Sequence, residues 1–279
     1  MLLVNTFDVE PWWATVPPCV AADRWDGMPD RSETPLREYL DLCDTAGVRC
    51  TFFIVGWYAR RFPKRVEEIT RRGHEVGCHS MYHDDVAILS TKRFRETTRE
   101  AKAIIEDAAG TPVLAYRAPS FSFPPQRCGA LFNELSGMGF TIDSSISTAG
   151  RIYGSGHDKS RFRAPMSLKT LYGVDILEVP VPGIVMAGRE LQMFGGGYLR
   201  LAPLFLLKHF AQRERYQVLY VHPHDFDPFP PPMPNRGAIS NLRRRINVGD
   251  LRRKILVLLT MSEVRACGQI LSDKEEVHV

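Results

Sequence analysis

"CTFFIVGWYARRFPKRVEEITRRGHEVGCHSMYH" (residues 50–83) decides the fold. It opens on a short apolar run, CTFFIV (50–55), that reads as a strand. YARRFPKRVEEITRRG (58–73) is an amphipathic stretch closing on Gly73, the residue a helix C-terminus prefers, and EVGCH (75–79) is a second strand. Outward from this unit the alternation repeats. Further strands are expected at LLVNTF (2–7), VLAYRA (113–118), FTIDSS (140–145), ILEVPV (176–181) and VLYVHP (218–223). Helices are expected over 34–47, 91–110, 199–214 and 240–261, the first two ending on Gly47 and Gly110. Alternating strands and helices imply a mainly parallel α/β sheet with helices packed outside it, open or closed into a barrel.

The 279 residues suffice for a large core. No repeat or low-complexity linker divides them, so one domain over 1–279 is expected, with its core in about 2–235 and a C-terminal helical segment in about 236–279. The proline cluster DPFPPPMPNRG (227–237) reads as a surface loop before that segment. At 44% hydrophobic and 24% charged, the composition is that of a globular chain and excludes disorder as its main state. A formal charge of +4 is too mild to argue for nucleic acid. The six cysteines form no CxxC pair and read as reduced thiols. The N-terminal stretch has no signal-peptide pattern and no apolar run is long enough to span a membrane, so a cytoplasmic setting is expected.

Reactive side chains gather at the expected strand ends: Asp8 and Glu10, His79 and His83, Arg117, Asp143, and His222 with His224. In a parallel α/β sheet the strand C-termini share one face, so these residues would meet there. Asp8 and Glu10 project to the same side of an extended strand, about 7 Å apart at the α-carbons. HxxxH alone is as well explained by structural histidines. Combined with a carboxylate from another strand end, it suits a divalent metal with an open position for water. His74, before the strand, reads as a structural hydrogen-bonding residue.

NTFDVEPWW, the quoted stretch, AYRAPSFS, IDSSI, GGGYLRL and YVHPHDFDP occur in an order that resembles the NodB-like polysaccharide deacetylases, carbohydrate esterase family 4. The likeness runs from about residue 2 to about 262 and is strongest to the branch encoded with bacterial exopolysaccharide systems. It implies a distorted (β/α) barrel of about seven strands, and hydrolysis of N-acetyl groups on an amino-sugar glycan by metal-activated water. The metal implied is a divalent ion, zinc first, with cobalt and nickel fitting the same donors. By resemblance Asp8 is the base, and His79 and His83 bind the metal. Val9 stands where many relatives carry the liganding aspartate, which moves that role to Glu10. Arg117 resembles the arginine that tunes the base, His222 the general acid, and Asp143 the carboxylate that orients it. Ser120 would lend a backbone N–H to the oxyanion. The chain reads HPHDFDP where the branch has HPWEFDP, placing His224 near the site and leaving it a rival to His222 as acid.

Trp12 and Trp13 are candidates to stack on a sugar, with Tyr198 and His224 as further substrate contacts. FGGGYLR (194–200) lacks the phosphate-binding fingerprints and reads as a tight turn. The basic groups Arg243–Arg245 and Arg252–Lys254 read as solvated faces, or as a means of peripheral association with the inner membrane face and a lipid-linked saccharide. No serine or cysteine has the partners of a covalent nucleophile. The alternatives to weigh are an amidase or imidase acting on a small non-sugar substrate, a non-catalytic glycan-binding relative, and an iron oxygenase, whose usual all-β fold the helices contradict.

Overall fold

The computed structural model describes residues 1–15, 19–149, 157–158, 160–233 and 237–276, with 274–276 as backbone alone. The strands are β1 (Leu2–Val9), β2 (Thr51–Ile54), β3 (Glu75–Cys78), β4 (Ala115–Tyr116), β5 (Ile142–Asp143), β6 (Met166–Ser167) and β7 (Leu177–Glu178). A separate hairpin, β8 (Ile184–Met186) and β9 (Arg189–Leu191), precedes β10 (Tyr216–Val221) and β11 (Glu263–Arg265). The sheet order is β10-β1-β2-β3-β4-β5-β7-β6, with β11 also paired to β1. All pairings in this sheet are parallel except β6 with β7. The expected distorted barrel is thus a curled half-barrel, and the Tyr216 hydroxyl donates to the Pro180 carbonyl (2.7 Å) across its opening.

Helices α1 (Glu33–Ala46), α2 (Gly56–Arg61), α3 (Pro63–Arg71), α4 (Thr91–Ala109) and α5 (Cys128–Gly137) follow the early strands. After them come α6 (Lys169–Tyr172), α7 (Gly196–Leu201), α8 (Leu204–Arg213), α9 (Ala238–Arg243), α10 (Val248–Met261) and α11 (Cys267–Glu276). The helix expected over 58–73 is two helices. Phe62 leaves helical angles (φ −133°, ψ 56°), and Pro63, which has no N–H to give, opens α3. Pro203 divides the 199–214 stretch in the same way, and Asn247 at φ 56° divides 240–261.

Alternation along the strands sorts residues into two apolar layers. Outward-facing Leu3, Phe7, Val9, Phe52, Ile54, Leu219 and Val221 pack under the helices. Inward-facing Val4, Phe53, Ala115, Ile142, Leu177, Tyr216 and Val218 fill the barrel, joined by Cys267 and Ile270. The last two belong to α11, so the C-terminal segment is no mere appendage to a core ending near 235. Its β11 extends the sheet, and α11 seats in the interior at the foot of the strands. There Cys267 N–H donates to Thr51 Oγ1 and Gly268 N–H to Glu75 Oε2, each at 2.8 Å.

Gly77 on β3 faces the same interior. A Cβ there would lie 2.6 Å from Phe53 Cδ1 and 3.1 Å from the Ala115 carbonyl, inside van der Waals contact with a ring that has no room to retreat. Gly77→Ala is therefore expected to lower stability by about 1–3 kcal/mol in a denaturant titration; an unchanged midpoint would show that Phe53 is less tightly held than described.

Candidate active site

Strand parity places the chemistry. In β1 the inward positions run Val4, Thr6, Asp8 and then Glu10 just past the strand, apolar at the foot and acidic at the mouth. Parallel neighbours deliver His79 after β3, Arg117 after β4 and His222 after β10 to the same rim. Asp8, Glu10, His79 and His83 are all buried.

Arg117 is wholly buried and ties the rim together. Nη1 donates to Asp8 Oδ1 (2.8 Å) and Thr6 Oγ1 (2.9 Å), while Nη2 donates to Ser144 Oγ (2.8 Å). Its guanidinium carbon stands 4.2 Å from the centre of the Phe53 ring, a cation–π contact.

Glu10, His79 and His83 form one cluster, each offering a donor atom within 4.8 Å of the others. His79 Nδ1 lies 2.8 Å from the Arg117 carbonyl oxygen. That oxygen only accepts, so Nδ1 carries the proton and Nε2 presents a lone pair. Nε2 faces Glu10 Oε2 at 3.6 Å, an acceptor against an acceptor. His83 Nε2 approaches the same oxygen at 2.8 Å, yet Oε2 has no hydrogen-bond partner among the described residues. Burial would raise the Glu10 pKa, but its electrostatic attraction to the neighbouring His83 and His222 outweighs it and holds the carboxylate well below its usual range. The free nitrogen of His79, the His83 imidazole and the Glu10 carboxylate, with a backbone carbonyl fixing the first tautomer, could serve as the donor set of a divalent cation. The loop that makes it is strained: Ser80 (φ 62°) and His83 (φ 55°) are left-handed without being glycine. Asp84 N–H on Ser80 Oγ (3.0 Å) and Gly56 N–H on the Ser80 carbonyl (2.9 Å) hold it.

On the opposite side of Asp8, His222 Nε2 stands 3.8 Å from Asp8 Oδ2, beyond hydrogen-bond length. Its Nδ1 bonds Asp225 Oδ2 (2.9 Å), and Arg200 Nε lies 3.2 Å from Asp225 Oδ1. Burial works against protonation of His222, but Asp225, Glu10 and Asp8 raise its pKa to about 9. His224 stacks on it (centroids 4.7 Å apart), and burial drives the His224 pKa down to about 3.

One expectation is corrected. Asp143 does not orient His222. Ile142 and Ser144 point inward, so alternation turns Asp143 to the helix side, where it accepts from Ser145 Oγ (2.7 Å) and Ser145 N–H (2.8 Å) beside buried Glu178. The carboxylate on His222 is Asp225, three residues along, a pairing the sequence offered within HPHD. Trp13 is 1% exposed and packs edge-on against Trp12, Trp25 and Trp57. Trp12, Trp13 and His224 line a small crevice with Arg31 and Asp227. Tyr198 is half-buried on α7, and Ser120 (φ 53°) is exposed in the turn after Arg117. A wider groove of 650 Å³ beside the His83 loop is lined by Trp57, Tyr82, Arg60 and Arg61, residues not singled out from sequence. His74 is buried against Phe52, and burial lowers its pKa to about 4.

A parallel α/β half-barrel with carboxylates and imidazoles on its strand C-termini has counterparts among known proteins. Residues 15–131 match the polysaccharide deacetylase family, and 144–272 match a domain of unknown function (DUF3473). The chain is 32% identical over 101 residues to a Bacillus cereus peptidoglycan-N-acetylglucosamine deacetylase, covering 36% of this chain and 34% of that one. It is 32% identical over 84 residues to a chitooligosaccharide deacetylase of Sinorhizobium fredii, covering 30% and 38%. The matched stretches span between about a third and a half of the length of these curated relatives. In fold it resembles a Mycobacterium smegmatis protein described as a polysaccharide deacetylase, with TM-score 0.64, 19% identity, and 100% and 91% of the two chains covered. A family 4 carbohydrate esterase from Streptomyces lividans in complex with acetate gives TM-score 0.51 and 15% identity, covering 95% and 90%. Residues 15–131 thus carry the polysaccharide deacetylase family domain, and the fold is that of the NodB-like carbohydrate esterases of family 4.

Arg117→Met leaves Asp8 and Ser144 buried without their donor and is expected to cost about 3–5 kcal/mol in chemical denaturation. Adding Asp8→Leu should recover most of that loss, and a double variant no more stable than the single would show that the ion pair is not the cause.

Proposed function

We propose that the protein is a metal-dependent hydrolase that removes N-acetyl groups from an amino-sugar glycan, an exopolysaccharide or a lipid-linked saccharide. The observation that carries this reading is the His79 tautomer, whose free nitrogen is turned onto an unpartnered oxygen of Glu10 beside a separate base and acid. Glu10, His79 and His83 would hold the cation, with zinc the first choice and cobalt or nickel fitting equally. When bound, the ion supplies Lewis acidity toward the acetyl carbonyl and the attacking water.

The protein's own groups divide the remaining work. Arg117 occupies Asp8 Oδ1, which leaves Oδ2 to take the proton of the attacking water. Asp225 accepts from His222 Nδ1–H, so Nε2 is the nitrogen that faces Asp8 and the departing sugar amine. Of the two stacked imidazoles, His222 is charged at neutral pH and His224 is not, which favours His222 as the proton donor. Arg200 and Asp225 act on the reaction through that ring and are positioning residues. The Ser120 N–H is assigned to the oxyanion. Trp57 and Tyr82 offer aromatic surface to a sugar ring in the adjoining groove, with Trp12 in the crevice beside His224 and Tyr198 a further candidate contact on α7.

Chelation should abolish acetate release from chitooligosaccharides, and zinc, cobalt or nickel should restore it; full turnover by metal-free protein would overturn the proposal. His222→Ala is expected to keep its metal and lose about 10²–10⁴-fold in rate. Loss of the metal in that variant would instead make His222 a ligand. Asp225→Asn should lower kcat about 10²-fold at unchanged KM and move the alkaline limb of the pH profile downward, because the imidazolium loses its counter-charge. An unmoved limb would reduce Asp225 to a purely structural residue.

A further inference from the structure

Three segments beside the acid side of the site carry exposed apolar side chains. Leu201 (41% exposed) and Phe205 (73%) lie at α7 and α8, and Phe229 (76%) lies in the proline-rich loop. Ile239 (71%), Leu242 (61%) and Ile246 (38%) follow one another at three- and four-residue spacing on α9 and the turn after it. Hydrogen bonds join the three segments into one surface. Arg200 Nη1 donates to the Arg243 carbonyl (3.4 Å), Arg244 Nη1 to the Pro231 carbonyl (2.8 Å), and Arg245 Nη2 to the Pro230 carbonyl (3.4 Å). Asn241 pairs with the Met233 backbone in both directions.

The charge of this surface is one-sided. Residues 199–213, 228–233 and 237–249 contain no aspartate or glutamate, while Lys208, Arg213, Arg243 and Arg245 lie among them, all exposed. In a chain whose overall charge is only +4, such a segregated stretch is a local field. Apolar side chains set among unopposed arginines match an interfacial docking element, whose side chains enter the acyl boundary while guanidinium groups meet anionic headgroups. A second copy of this chain fits less well, because a two-fold interface would bring Arg243 and Arg245 against their own counterparts.

We propose that α9, its following turn, the Phe229 loop and the Leu201–Phe205 corner form a docking surface for an anionic lipid bilayer. Arg200 joins this surface to the reaction centre, since it holds both the Arg243 carbonyl and the Asp225 carboxylate. Docking would thus set the mouth of the site against a saccharide carried on a lipid; that purpose rests on the deacetylase reading, whereas the docking itself does not.

The test is flotation of the full chain with vesicles of pure phosphatidylcholine, or of three parts phosphatidylcholine to one part phosphatidylglycerol. The protein should float with the second and not the first, and release as salt rises. Arg243→Glu with Arg245→Glu should weaken partitioning by roughly thirtyfold or more. Phe229→Ser with Leu242→Ser should weaken it at least about tenfold. Both variants should keep wild-type acetate release from a soluble chitooligosaccharide and a wild-type denaturation midpoint. No flotation, or flotation that both variants retain, would overturn the proposal. So would a concentration-dependent dimer that the Phe229→Ser, Leu242→Ser variant abolishes without lipid, which would assign the surface to a second copy. Flotation without any turnover would leave the docking surface intact and sink only the enzymatic reading.

Discussion

A guanidinium with no access to water is the constraint around which this molecule is arranged. Arg117 lies inside the mouth of the half-barrel, so every one of its N–H groups needs a protein partner or the fold carries a bare buried charge. Thr6 and Asp8 from β1, Ser144 after β5 and the Phe53 ring from β2 meet that demand. Its backbone carbonyl, meanwhile, fixes the tautomer of His79. One residue therefore positions a carboxylate with its side chain and an imidazole with its main chain. The space it occupies exists because Phe53 is pressed against a position in β3 where only glycine fits.

The same strand parity that builds this mouth also separates its charges. Asp8 and Glu10 share a face yet find different company, a guanidinium for the first and two imidazoles for the second. His222 and His224 stack ring on ring yet are pushed to opposite protonation states, because Asp225 bonds only the former. Like pairs in unlike environments are how one pocket holds an acid and a base together.

The sequence made the parallel sheet and most of its rim legible, since apolar runs ending in Asp, His or Arg are strong local signals. Asp8, Glu10, His79, His83, Arg117 and His222 all arrive where strand ends placed them. What escaped was whatever depended on direction or on remote packing. Asp143 fell on the wrong face although the neighbours Ile142 and Ser144 would have revealed its parity. Pro63 and Pro203 broke helices whose periodicity runs on across them. Helix α5, with little amphipathic contrast, went unmarked, and Arg200 gave no sign that it would hold Asp225. Trp57 and Tyr82 carry no local signal of their own; the loop at 80–84 is what puts them beside a groove. Nothing in DLRRKILVLLTMSEVRACGQI announces that its end turns inside the barrel.

That last feature bears on how the chain is made. Residues 263–270 supply a pairing partner for the foot of β1 and the apolar filling beneath Val4, Phe53 and Leu177. β1 leaves the ribosome before the other strands of the sheet, and the piece that closes its lower half emerges after all of them. Until then the interior layer has nothing to shut out solvent from below. The fold therefore cannot close before residues 263–270 have emerged, and up to that point the nascent sheet is an open cup.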